Sequence, residues 1–103
     1  MNRTTFAERL REDRRLVLLR LLSEQPGYRA NSSNLHAGLY ALGITASRDD
    51  VTTDLHWLRD QGLLRLDDVP EASGLTVAEI TSRGDDVSAG RAVVPGVRKP
   101  GPR

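Results

Sequence analysis

The stretch from Ser47 to Ile80, SRDDVTTDLHWLRDQGLLRLDDVPEASGLTVAEI, restricts the fold more than any other part of the chain. Ser47 carries a side-chain oxygen that can accept an orphan backbone N–H at a helix start, and Asp50, three residues on, favours the positive helix end. Val51, Leu55 and Leu58 then recur at helical spacing as one narrow apolar stripe, and Gly62 supplies the residue that tolerates a left-handed stop. Beyond it, Leu63 to Asp67 and Leu75 to Thr81 have the length of short strands. Pro70, Ser73 and Gly74 lie in the segment that joins them. The stretch therefore predicts a capped helix running into a two-stranded ribbon.

The preceding residues supply support for that unit. A first helix is expected from about Thr5 to Ser23, with Phe6, Leu10, Val17 and Leu21 on its core side. Leu16 to Leu22 is apolar all round except at Arg20, so this half must be covered on more than one side, by later elements or by a partner subunit. Gln25-Pro26-Gly27 terminates the helix. Tyr28-Arg29-Ala30 is placed to form a short edge strand. Asn31, Ser32 and Ser33 offer caps for a second helix with Leu35, Leu39 and Leu42 as its stripe, closed by Gly43, and Ile44 plugs the turn that follows. Thr81 to Gly90 reads as a short, thinly packed last helix. Helix, turn, helix and ribbon in this order are the arrangement of a winged helix-turn-helix: an α+β fold with a three-helix core, a β-hairpin wing and a short C-terminal helix. Residues 1–90 form this domain. Residues 91–103, rich in Pro and Gly, read as a flexible basic tail that stays solvated, follows a nucleic-acid backbone, or docks through Val93, Val94 and Val97 on another protein.

The motifs that carry a resemblance are EDRRLVLLRLL at Glu12 to Leu22, PGYRAN at Pro26 to Asn31, SRDDVTTDLHWL at Ser47 to Leu58 and VPGVRKP at Val94 to Pro100. With the run WLRDQGLL at Trp57 to Leu64, the chain resembles winged-helix regulators of the ArsR, MarR and PadR type. More narrowly, it is similar to small winged-helix proteins of Mu-like prophages, a likeness covering nearly the whole chain. The resemblance implies double-stranded DNA as partner, a role in transcriptional regulation, and a homodimer built on the apolar half of helix one, with Leu16, Leu19 and Leu22 at the interface. The other function open to such a fold is a phage-derived protein-docking module without DNA binding.

Charge bears directly on that choice. The formal net charge of +1 divides into +3 over residues 1–46, −6 over residues 47–90 and +4 over residues 91–103. The presumed reading head is acidic, whereas affinity for phosphates comes from Lys and Arg. With Val51, Leu55 and Leu58 turned inward, Thr53, Asp49, Asp60 and His56 point outward, Thr52, Arg48 and Arg59 lie on one flank, and Trp57, Asp50 and Asp54 on the other. On the DNA reading, Arg48 and Arg59 meet phosphates, Thr52, Thr53 and His56 reach base edges or phosphates, and Arg65 substitutes for the basic residue missing from the wing tip. Further attraction must come from arginines outside this face.

Other classes find little basis. There is no Cys, which excludes disulfides and thiolate metal sites and fits a reducing cytoplasm. His36 and His56 fall on different helices with no carboxylate cluster at metal spacing. No nucleophile elbow, phosphate-cradling loop or dinucleotide fingerprint occurs, so neither an enzyme nor a cofactor is expected. No apolar run is long enough for a signal core or a membrane span.

Overall fold

A computed structural model describes residues 5–101. Arg3 and Arg103, counted in the charge blocks above, lie outside the described residues. In chain order the elements are α1 (Phe6–Ser23), a 3-10 turn (Pro26–Tyr28), β1 (Arg29–Asn31), α2 (Ser32–Ala41), α3 (Arg48–Asp60), β2 (Leu64–Asp68), β3 (Thr76–Ile80) and α4 (Ser82–Ser88). The strands make one antiparallel sheet in the order β1-β3-β2. This is the expected α+β winged helix-turn-helix.

Each helix starts on a side-chain cap. Thr5 and Glu8 form a reciprocal capping box on α1, Asn31 accepts the Asn34 N–H at α2, Ser47 and Asp50 form a second box at α3, and Thr81 accepts the Gly84 N–H at α4. The strands are fixed by alternation. Ala30, Ala78 and Leu66 pair across the sheet on the face turned to the core, while Arg29, Glu79 and Arg65 pair on the other. The Thr76 N–H donates to Ser32 Oγ at 3.2 Å, tying the base of the wing to the start of α2.

Five expectations are corrected. The core face of α1 is not that of Phe6 and Leu10, which are 75% and 50% exposed. Leu16, Leu18, Leu19 and Leu22 are buried instead, with Val17 and Leu21 at the margin. The half of α1 that is apolar all round has α2, α3, the sheet and α4 against it, so neighbours within the chain cover several of its faces. Leu16, Leu19 and Leu22 are therefore enclosed in the core of a single chain, where a partner subunit has no access to them. Leu42 leaves the α2 stripe: it follows the last helical residue and is exposed. The last helix is not thinly packed, since Gly84, Val87 and Ser88 are buried and α4 lies along α1. Nor is the segment after it loose, because Val94 and Val97 are buried in the same core.

Candidate nucleic-acid interface

The geometry of α3 follows from its inner face. Val51, Leu55 and Leu58 are buried, as their spacing requires, and Asp54 is buried with them at 1% exposure. Arg14 Nε donates to Asp54 Oδ2, and Arg15 Nε lies 3.5 Å from Oδ1. That second contact is close enough for attraction but is not aligned as a hydrogen bond. The Arg15 guanidinium also lies over the Trp57 ring, 4.0 Å from its centroid, and Arg15 Nη1 donates to the Gly96 carbonyl at 3.0 Å. Burial lowers the Arg15 pKa, an effect opposed by the Asp54 carboxylate.

Asp54 is the residue that sequence reasoning placed wrongly, on a polar flank. Its spacing did carry a signal, for it lies three residues after Val51 and four before Leu58, on the same helical face. What the sequence could not supply was its counter-charge, forty residues away on α1. Trp57 is half-buried and packs against Gly96 of the C-terminal segment.

The outer face of α3 is polar and uncovered. Arg48, Thr52, Thr53 and Arg59 are exposed, and His56 is partly so. His56 Nδ1 lies 2.8 Å from the Thr52 carbonyl oxygen, which can only accept, so the contact needs the proton on Nδ1. Arg59 is held by Asp60 at 3.0 Å, and Arg65 sits on the outer sheet face, held by Glu79 at 2.8 Å. Among the described residues Arg48 makes no ion pair. It lines a small notch with Ser32, His36, Val51, Thr52 and Gly74, where the start of α3, the start of α2 and the end of the wing meet. His36 Nε2 lies 2.8 Å from the Ala46 carbonyl oxygen and fixes α2 to the turn before α3. Thus Arg48, Thr52, Thr53, His56 and Arg59 share one helix, while Arg65 is on the ribbon.

Acid surrounds these groups. Asp49, Asp50 and Asp60 are exposed on α3, and Asp67, Asp68 and Glu71 are exposed on the wing. The Ser47 backbone N–H, and after it the Ser47 hydroxyl, holds the Asp50 carboxyl below its ordinary value, so it stays ionised. Four of the arginines outside this face are engaged elsewhere. Arg14 and Arg15 lie behind α3 on Asp54, Arg98 is on Asp13, and Arg91 is on Asp85 and Asp86. No cluster of three or more metal-binding side chains occurs among the described residues, and no helix there is long and apolar enough to cross a membrane.

No protein-family model matches the chain. It is 45% identical over 94 residues to the uncharacterized protein gp26 of Escherichia phage Mu, covering 91% of this chain and 94% of that one. An uncharacterized protein of Haemophilus influenzae is 47% identical over 79 residues, covering 77% of this chain and 74% of its own. Among solved structures, Sco3205 from Streptomyces coelicolor, a MarR family transcriptional regulator in complex with DNA, superposes with a TM-score of 0.56 at 25% identity over 69% of this chain. ZitR from Lactococcus lactis superposes with a TM-score of 0.52 at 20% identity over 84% of this chain. The chain spans 41% of the Sco3205 chain and 58% of the ZitR chain, less than two thirds of either. With matching sequence along nearly the full length of both proteins, the chain belongs to the family of phage Mu gp26, and its fold is the winged helix of the MarR regulators.

Proposed function

We propose that this protein binds duplex DNA through the outer face of α3 and acts as a transcriptional regulator of phage origin. The observation that carries the reading is the uncovered polar strip of Arg48, Thr52, Thr53 and His56 on the second helix of a helix-turn-helix. The superposed Sco3205, a regulator in complex with DNA, lends it support. Arg48 and Arg59 reach phosphates, the threonines and His56 reach base edges or phosphates, and Arg65 approaches the backbone from the ribbon. Because α3 brings only two arginines against three exposed aspartates, non-specific affinity is low and direct base contact carries most of the discrimination.

Fluorescence anisotropy with labelled duplex tests this. Three arginine–phosphate contacts per chain, from Arg48, Arg59 and Arg65, give a log–log salt slope of about −3, and Arg48→Ala makes it shallower by about 1. No binding at about 50 mM salt, or a slope unchanged by Arg48→Ala, refutes the reading. A homodimer would use a surface other than Leu16, Leu19 and Leu22, and the exposed Phe6 and Leu10 on α1 offer one. A monomer mass in light scattering at high concentration removes that part.

The exposed acid of Asp49, Asp60, Asp67, Asp68 and Glu71 favours a second reading, a module that docks a protein with a basic surface. Asp67→Lys with Asp68→Lys separates the two, since it strengthens DNA binding and weakens a basic partner.

A further inference from the structure

The segment after α4 reaches the back of the reading helix at one point. Gly96 lies against the Trp57 ring with φ 97, and a Cβ there would fall 2.6 Å from Cζ2, so glycine is what lets the backbone approach. Arg15 joins the two, stacking on Trp57 and donating to the Gly96 carbonyl while facing Asp54. On either side Val94 and Val97 are buried. Further along, the Arg98 N–H donates to the Glu12 carbonyl at 3.2 Å and its guanidinium to Asp13 at 3.0 Å.

We infer that residues 92–100 are a strap whose seating on Trp57 fixes the rotation of α3, so that strap docking and ligand binding on the outer face of α3 are thermodynamically linked. Trp57 follows His56 directly and stands one turn after Thr53, so any rotation of α3 that shifts the ring turns both of those side chains. The strap is held by two buried valines and a few hydrogen bonds, a unit small enough to open without global unfolding. An open strap frees the Arg15 donor and leaves α3 held to α1 on this side by the Asp54 pairs and the Arg15–Trp57 stack. A ligand that fits α3 only in its seated orientation therefore tightens the strap, and release of the strap weakens that ligand by the same factor. The identity of the ligand rests on the DNA reading, whereas the strap and its hold on α3 do not.

The test uses the full chain and its single tryptophan. Gly96→Val puts a branched side chain into the ring. The expected result is a red-shifted Trp57 emission, stronger acrylamide quenching, faster trypsin cleavage at Arg98, and hydrogen exchange that quickens across α3 more than across β2 and β3. Binding of a duplex that the parent protein binds falls about fivefold or more, a typical coupling. Unchanged quenching refutes the seat, and an exposed Trp57 with unaltered α3 exchange refutes the link. If Gly96→Val loses its circular dichroism, Arg98→Glu, which reverses an exposed pair and leaves the core alone, is judged by Trp57 emission, acrylamide quenching and hydrogen exchange, since it removes the trypsin site itself. A parent protein that binds no duplex sinks the DNA reading, and the exchange data alone then decide the strap.

Discussion

Replacing Asp54 by asparagine keeps the shape of the side chain and removes the charge that Arg14 and Arg15 share. Asp54 is 1% exposed and the two arginine side chains are 12% and 13% exposed, so water has little access to compensate. Removing one member of a buried ion pair costs about 3 to 5 kcal/mol, because the remaining charge is left without a partner. The slight exposure of both guanidinium groups puts the expectation at the lower end, about 3 kcal/mol. With a urea slope of about 1.5 kcal/mol/M, the unfolding midpoint falls by about 2 M. Trp57 fluorescence and far-ultraviolet circular dichroism should give coincident transitions at an unchanged slope. The cost comes from stranded arginines, so adding Arg14→Met to Asp54→Asn should recover part of it. The double variant is expected to be less destabilised than the sum of the singles by about 1.5 kcal/mol. A loss under about 0.5 kcal/mol for Asp54→Asn, as at an ordinary surface site, would refute the account of this cluster.

Four further outcomes follow from the packing and the caps. Leu19→Ala should cost about 3 kcal/mol with a urea midpoint that does not depend on protein concentration, because Leu19 lies inside one chain; a concentration-dependent loss would return it to an interface. Gly84→Ala should cost about 3 kcal/mol, since the added Cβ would fall 2.0 Å from the Leu63 carbonyl oxygen, and a thermal midpoint equal to the parent's would contradict that close approach. Ser47→Ala should cost about 1 kcal/mol at neutral pH. The Asp50 carboxyl is held below its unfolded value, so its share of this stability is present above the ordinary carboxylate range and is lost as pH falls through the folded value. Stability measured from pH 6 down to about 2 should therefore decline less steeply in Asp50→Asn than in the parent.

The parts of the fold that were legible are those fixed by short-range chemistry. Ser47 and Asp50 announce the start of α3 because a cap needs only residues three apart, and Gly62 announces its end because a left-handed residue needs no distant partner. The wing could be read from strand-length runs around Pro70 and Gly74, and a short edge strand from Tyr28-Arg29-Ala30, whereas its pairing with β3 came only from the structure. The polar strip on α3 was legible too, since Val51, Leu55 and Leu58 left only one way for Arg48, Thr52 and Thr53 to face. Helix α1 was harder. A helix with neighbours on several sides has apolar residues at every angle, and its periodicity no longer points to one face. Phe6 and Leu10 fit the helical spacing and are nevertheless exposed, while Leu16, Leu18, Leu19 and Leu22 fill the core.

By itself the sequence determined the fold, the caps, the acidic balance of the reading head and the residues its outer face presents, all from interactions within a few positions along the chain. Only the tertiary structure decided where the arginines are engaged: Arg14 and Arg15 on Asp54 behind α3, Arg98 on Asp13, and Gly96 on Trp57. Ion pairs and close backbone contacts join residues 40 to 85 positions apart, and which charges meet depends on how the helices pack, a property that no local pattern encodes.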